Sequence, residues 1–382
     1  MIRSIFPVWL VISCLFSAGS ISGVAAQDQS HRPSQLAASS QAAVSEERLV
    51  SPWSFAVSGD SRNCGDVVMP AIAAGAAKAG VSFYWHLGDF RAIYNFDEDI
   101  QHEPQYLANP LNIASYEELA WKDFVANQLM PFGTLPVYLG IGNHETIPPK
   151  TREEYLIQFA DWLETPRLRE QRLSDDPRDF QLRTYYQWIQ GGVEFINLDN
   201  ATPEQFDRAQ ITWFEKTVQA ASSNPQVHTL LVGMHEALPE SISENHSMNQ
   251  SPSGIESGRR VYGDLLKTRN ESHKRVYVLA SHSHYFMDGI FNTDYWRAHG
   301  GVLPGWIIGT AGAQRYALPN ESASARAAQT DVYGFLLATV KSDGEVEFTF
   351  QRLNESDVPA PVADRYTHEF VHWCFAENSV AH

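Results

Sequence analysis

Positive charge is scarce in this sequence. Its 382 residues carry 28 Lys and Arg against 45 Asp and Glu, for a formal net charge of −17. A chain this acidic repels polyphosphate backbones, so polymeric nucleic acid is not an expected partner. Long apolar runs are missing too. The mostly apolar stretch 5–16 is too short to span a bilayer. Cysteine is rare, at three residues, and there is no internal repeat. The composition does not fit a disordered chain, because 43% of residues are hydrophobic and only 19% charged. Ten Trp, fifteen Tyr and twenty Phe supply ample core.

The N-terminus reads as an export signal. Arg3 gives a basic start, the apolar run follows, and small residues lead to Ala26 before Gln27. Cleavage after Ala26 removes Arg3 and no acid, so the mature charge is −17 − 1 = −18. The expected location is secreted or periplasmic. A lipoprotein anchor on Cys14 is the rival reading, and the apolar or small character of 15–26 weighs against it. Cleavage leaves Cys64 and Cys374. In an exported chain they suggest one disulfide, and two free thiols are the alternative. Residues 27–50, rich in Gln, Ser, Ala and Pro, read as a flexible lead to a domain over 51–382.

Strands are expected at 53–58, 81–87, 135–141, 184–189, 193–198, 227–234, 275–280, 285–290, 306–310, 333–340 and 345–351. Helices are expected at 66–79, 115–130, 151–163, 203–221 and 257–269. The 115–130 helix carries a capping-box pattern, Ser115 with Glu118. The segment 97–110 reads as acidic and irregular, 168–180 as charged and exposed, and 239–258 as a long surface loop. Strands and helices alternate in the first half and hairpins dominate the second, which suggests one α/β domain with mixed sheets.

Five of these strands end in residues that bind hard or borderline metals. They are Asp60, Asp89, Asn143, His235 and the pair His282/His284. Ligands at the carboxyl ends of strands in an open α/β sheet face a common crevice. Carboxylate, amide oxygen and imidazole together suit Mn, Fe or Zn. Taken singly each motif is weak, since Gly-Asp after a strand is usually a turn. His86, equally near a strand end, reads as packing. The ordered set is what carries the signal, and Gly142-Asn143-His144-Glu145 is its most specific member.

The series Gly59-Asp60, Gly88-Asp89, Gly142 to Glu145, His235 and His282-Ser283-His284 resembles the calcineurin-like metallophosphoesterase family, which includes purple acid phosphatases. The resemblance covers about residues 53 to 310. It implies a four-layer αββα sandwich with a dinuclear metal site at the strand ends. On that pattern Asp89 bridges two ions; Asn143, His235 and His282 complete one site; Asp60 and His284 belong to the other. His144 becomes the catalytic imidazole near the leaving group. The implied activity is hydrolysis of phosphate esters by an activated water. Two cations can clamp the attacking and leaving oxygens of an in-line displacement.

The sequence departs from the family where most members have a His two residues after the first Asp. Here that residue is Arg62, which stays protonated and cannot ligate metal. The Tyr of purple acid phosphatases, three residues after the second Asp, is Ala92; Tyr94 lies two further on. The Asp-Arg pair of the serine/threonine phosphatases is replaced by Arg91-Ala92. Three roles for Arg62 stand open: a bidentate clamp on substrate phosphate, a charge replacing a weak or absent first metal, or a structural partner of Asp66 or Glu145. Arg91 is a second candidate for phosphate. Among Tyr84, Trp85, Tyr94, Phe96, Trp296 and Trp306, one or two are expected at the pocket wall and the rest in the core. Gly309 to Gly312 reads as a packing turn. The competing function is a non-catalytic exported module that binds phosphate or a partner on the same scaffold. The expected substrate is a small phosphate ester.

Overall fold

The computed structural model describes residues 51–380. The export signal and the lead at 27–50 lie outside the described residues. The strands are, in chain order, β1 (Trp53–Ser58), β2 (Tyr84–His86), β3 (Val137–Leu139), β4 (Tyr186–Gln190), β5 (Val193–Asn197) and β6 (Thr229–Gly233). They continue with β7 (Arg275–Ala280), β8 (Phe286–Asp288), β9 (Gly305–Ile308), β10 (Ala327–Gln329), β11 (Tyr333–Val340) and β12 (Val346–Leu353). One five-stranded sheet runs β12-β11-β1-β2-β3, and one seven-stranded sheet runs β10-β8-β9-β7-β6-β5-β4. Both are mixed. β1, β2 and β3 are parallel, with Ala56 opposite Tyr84 and Tyr84 opposite Val137. β5, β6, β7 and β9 are parallel in the second sheet.

Strand alternation decides the layers. Successive side chains point to opposite faces. In β1, Phe55 and Val57 face the second sheet, while Ala56 faces the helix Gly65–Ala79 and its neighbours. The inner layer joins Phe55, Phe83, Trp85 and Leu87 to Trp188, Phe195, Leu231 and Ile308. Phe55 and Phe83 stack at 5.0 Å, and Trp188 stacks on Phe195 at 4.8 Å. Ile196, Val232 and Val278 point the other way, under helices Arg208–Ser223 and Pro252–Ser272. The result is helix, sheet, sheet, helix: the αββα sandwich that the motif series implied.

Several boundaries differ from expectation for local reasons. The 115–130 segment starts earlier, at Ile113, because Asn112 rather than Ser115 is the cap; its side chain accepts from Ser115 N at 2.9 Å. The α-helix ends at Asp123 and passes into a π-helical turn, Phe124–Leu129. The 168–180 segment is mostly helix Pro166–Asp175, capped by Thr165. The 239–258 loop ends early, because Ser251 caps a helix that begins at Pro252 and runs to Ser272. The 97–110 segment is no irregular loop. It holds two short helices, and Asp97, Asp99 and Glu103 are buried. Cys64 and Cys374 form a disulfide that ties the turn after β1 to the C-terminal helix His368–Ala376.

Candidate metal centre

The strand ends of the two packed sheets come together where β1, β2, β3, β6 and β7 end. Gly59 N donates to Ile308 O across the sheets at 3.0 Å, and Asp60 N donates to Gly88 O at 3.0 Å. Three of the strand-end residues adopt the sparsely populated left-handed region: Asp60, Asp89 and His282 have φ of 62°, 60° and 64°. Left-handed backbone at non-glycine residues costs about 1–3 kcal/mol each and gathers at functional sites. Glycines make room for these turns. A Cβ on Gly142 would lie 2.6 Å from Asp89 N and 2.9 Å from His235 Cε1. A Cβ on Gly309 would lie 2.8 Å from Asp60 Oδ2, so this turn approaches the site closely rather than merely packing.

Four acceptors converge at the ends of β2, β3, β6 and β7. His235 Nε2 lies 3.0 Å from Asn143 Oδ1, 3.0 Å from His282 Nδ1 and 3.3 Å from Asp89 Oδ1. The other ring nitrogen of His235 donates to Leu87 O at 3.0 Å, which aims the Nε2 lone pair into the cluster. One proton on Nε2 can serve only one of the three facing acceptors, while a cation serves all four. Asp89, His235 and His282 thus form a group able to hold a metal ion. Asp89 Oδ2 has no hydrogen-bond partner. The electrostatics ask for positive charge. Burial pulls the His235 pKa down, but Asp89 outweighs it and lifts it to about 10. Burial pushes the Asp89 carboxyl up, and His144 and His235 hold it well below its ordinary value. The donor set of one carboxylate, one amide oxygen and two imidazoles fits a borderline cation.

An outer layer orients this cluster. Glu145 is fully buried and accepts three backbone N–H bonds, from Asp89 at 2.8 Å, Phe90 at 2.9 Å and Gly142 at 2.8 Å. It thereby joins the β2 and β3 ligand turns. Glu236 lies 3.9 Å from His282 Nε2, on the ring edge away from the cluster. Hydrogen-bonded outer residues such as Glu145 hold ligand-bearing turns in place in metal sites.

Asp60, Arg62 and His284 form a second group. Ser281 Oγ donates to Asp60 Oδ2, as does His282 N at 2.7 Å. His284 Nδ1 donates to Gln314 O at 2.6 Å, and His284 Nε2 lies 3.3 Å from Asp60 Oδ1. Arg62 donates from Nη2 to His284 Nε2 at 3.1 Å and to Tyr316 Oη at 3.3 Å. Burial works against the Arg62 charge, but Asp89 and Asp60 more than restore it, so its pKa is raised. Arg62 pairs with neither Asp66 nor Glu145. A cation placed here would compete with a fixed guanidinium, so this group does not fit a metal as the first group does.

Arg91 is the correction among the site candidates. It is fully buried and points away from the strand ends. Its guanidinium bonds to Asp66 and Asp123, donates to Asp99 at 2.8 Å and lies 3.9 Å from Asp97. With those carboxylates around it, it has nothing to offer a substrate. The residue type pointed to phosphate; its burial and its partners point to structure. His86 is buried, with its Nε2 3.0 Å from Ser61 Oγ.

His144 sits beside the cluster, 4% exposed, with Nε2 3.6 Å from Asp89 Oδ2. Its Nδ1 donates to Ala92 O at 2.6 Å. Burial lowers its pKa to about 4, although Asp89 opposes this. Of the aromatic candidates, Tyr94 is the one at the wall: it is 62% exposed, with its ring 5.3 Å from that of His144. Tyr84, Trp85, Trp296 and Trp306 are core. Sequence reading did not single out Tyr316 and His246. Tyr316 stacks on His284 at 4.0 Å, and His246 lies 5.5 Å from His282 and 5.2 Å from Tyr316. Neither belongs to a strand-end motif, so no spacing marks them. A cavity of about 1310 Å³ lies elsewhere, lined by Arg152, Arg183, Glu194, Asp199 and Trp213 among others, and includes none of the ligand candidates.

No known family profile matches the chain, and no curated protein sequence does. Several solved structures are similar. A structure of PhoD is 14% identical, with 79% of this chain and 69% of that one covered and a TM-score of 0.48. GAP50, the anchor in the inner membrane complex of Plasmodium, is 11% identical, with 87% and 98% covered and a TM-score of 0.45. A putative 5'-nucleotidase from Staphylococcus aureus, in complex with alpha-ketoglutarate, is 12% identical, with 79% and 54% covered and a TM-score of 0.42. The likeness is one of fold.

Proposed function

We propose that the protein is a metal-dependent hydrolase of phosphate esters, acting on a small phosphomonoester or phosphodiester. The observation that carries the proposal is the convergence of Asp89 Oδ1, Asn143 Oδ1, His235 Nε2 and His282 Nδ1 on one point, beside a fixed guanidinium and an oriented imidazole. The three strained strand-end residues support it, since strain of this kind persists where a site demands it.

In this reading Asp89, Asn143, His235 and His282 hold a Mn, Fe or Zn ion. When bound, such an ion supplies Lewis-acid charge to a phosphoryl oxygen and acidifies an attacking water. The remaining work belongs to side chains. Arg62 presents positive charge to the substrate phosphate, which its planar fork suits. Hydrolysis forms a P–O bond to water and breaks the P–O bond to the leaving group, whose oxygen then takes a proton. His144 handles that proton at Nε2. With its pKa near 4 it starts neutral, so it takes up a proton released by the attacking water and passes it to the leaving-group oxygen. Tyr94 forms the outer wall next to it. Export to an oxidising compartment fits the Cys64–Cys374 bridge, and no helix among the described residues is long and apolar enough to cross a membrane.

The test is hydrolysis of an aryl phosphomonoester and an aryl phosphodiester by metal-stripped protein refilled with Mn, Fe or Zn. Metal-dependent release of the aryl alcohol is expected. His144→Ala is expected to keep its metal and lose about 10²–10⁴-fold in turnover. Silence on both esters with metal bound would favour the non-catalytic phosphate-binding module instead.

A further inference from the structure

We propose that this protein holds one metal ion per chain, and that the Arg62 guanidinium takes the place of the second cation. The inference rests on the metal-dependent reading above and deepens it, replacing the dinuclear site implied by the sequence motifs.

Gln314 O can only accept, so the bond of 2.6 Å to it puts a proton on His284 Nδ1. The neutral ring then has one lone pair, on Nε2, and that nitrogen is the atom a metal would need. Arg62 Nη2 already donates to it at 3.1 Å. Arg62 is itself held in place. Nη2 also reaches Tyr316 Oη at 3.3 Å, and the Tyr316 ring stacks on His284 at 4.0 Å. The side chain is only 9% exposed, so swinging it out means unpacking the turn after β1. The disulfide at Cys64 and the contact of Asn63 N with Asp97 Oδ1 at 2.7 Å fasten that turn on its far side.

The carboxylates agree. Asp60 Oδ1 and Asp89 Oδ2, both buried, have no hydrogen-bond donor of their own. Arg62 ion-pairs with neither, but its charge reaches both through space, and it cannot lose its proton. Among the described residues, Asp89, His235 and His282 bring their ligand atoms together as a metal group, whereas Asp60, Asp89 and His284 do not. One side of the crevice is thus built for an exchangeable ion and the other carries a built-in charge. A phosphate lying between them meets one metal and one guanidinium fork.

Metal content decides the matter without reference to activity. Protein stripped with chelator, refilled with Mn²⁺ and desalted should contain one ion per chain by elemental analysis, and a mononuclear Mn²⁺ signal by electron paramagnetic resonance. His284→Ala should keep that ion, and His235→Ala should lose it. Arg62→His, which frees His284 Nε2 and adds an imidazole, should move the content towards two. Two ions in the wild-type chain, or loss of the ion in His284→Ala, would overturn the single-ion assignment while leaving a metal-dependent hydrolase standing. No bound metal in the folded wild-type chain would instead remove the metal-dependent reading itself, and this inference with it.

Discussion

Glu145 is the residue whose removal should tell most about how the centre is held. Its carboxylate accepts from Asp89 N, Phe90 N and Gly142 N, all within 2.9 Å, and it is fully buried. Burial, and then the nearby Asp89, lift its pKa to about 7, so the carboxylate is kept there against its own solvation preference. Glu145→Ala strands three backbone donors. Each buried donor left without a partner costs about 1–3 kcal/mol. Water entering the space recovers part of this, and the removed charge no longer has to be buried. The expected net loss is about 3–5 kcal/mol, a large share of the ~5–15 kcal/mol by which domains are stable. Glu145→Gln can keep a carbonyl oxygen at the Oε2 position for Asp89 N and Gly142 N but sets its amide N–H₂ against Phe90 N, so an intermediate loss is expected. Because the clamp joins the turn carrying Asp89 to the turn carrying Asn143, Mn²⁺ affinity should also fall about 10–100-fold, as for other outer-layer residues of metal sites. Urea unfolding of the metal-free protein gives the first quantity and isothermal titration gives the second. Both variants staying within about 1 kcal/mol of wild type with unchanged affinity would refute the clamp, since three unsatisfied buried donors cannot cost so little.

Three further outcomes follow from the packing. Arg91→Met leaves Asp66, Asp99 and Asp123 without their shared cation, and breaking a buried pair from one side costs about 3–5 kcal/mol; a denaturant midpoint equal to wild type would contradict the structural role. Cys374→Ser opens the bridge to Cys64 and should cost about 2–5 kcal/mol, measured by calorimetry, with wild type in reductant losing the same amount. Glu194 is 3% exposed, and burial, helped by Asp175, raises its pKa to about 8. The folded chain then binds this proton more tightly than the unfolded chain does. Stability contributed here is present below the unfolded value of about 4 and is lost as pH rises to about 8. Glu194→Gln should flatten the fall in stability across that window; an identical pH profile would show the group to be solvated.

The sequence by itself determined the class of fold and placed ligand-type residues at the strand ends. Five apolar, β-rich runs each ending in a ligand-type residue read as an open α/β sheet, because period-two patterning and the turn residues after it are local properties. The same locality explains what could not be read. Asn112 rather than Ser115 caps its helix, and helix Pro252–Ser272 starts inside the segment read as a loop, because cap choice depends on the neighbouring backbone. Arg62 and Arg91 look alike in sequence, each two residues after a strand-end aspartate. Only the tertiary structure separates them. Asp97 and Asp99, a few residues on, join Asp66 and Asp123, 25 and 32 residues away, in enclosing Arg91, whereas Arg62 meets His284 and Tyr316 across more than 200 residues. Arginine is driven to whichever acceptors the fold buries beside it, and that depends on long-range packing, which no spacing encodes. The pairing of Cys64 with Cys374, the reach of Glu145 across two strands and the nearness of Tyr94 to His144 were settled in the same way, by which surfaces the two sheets bring together.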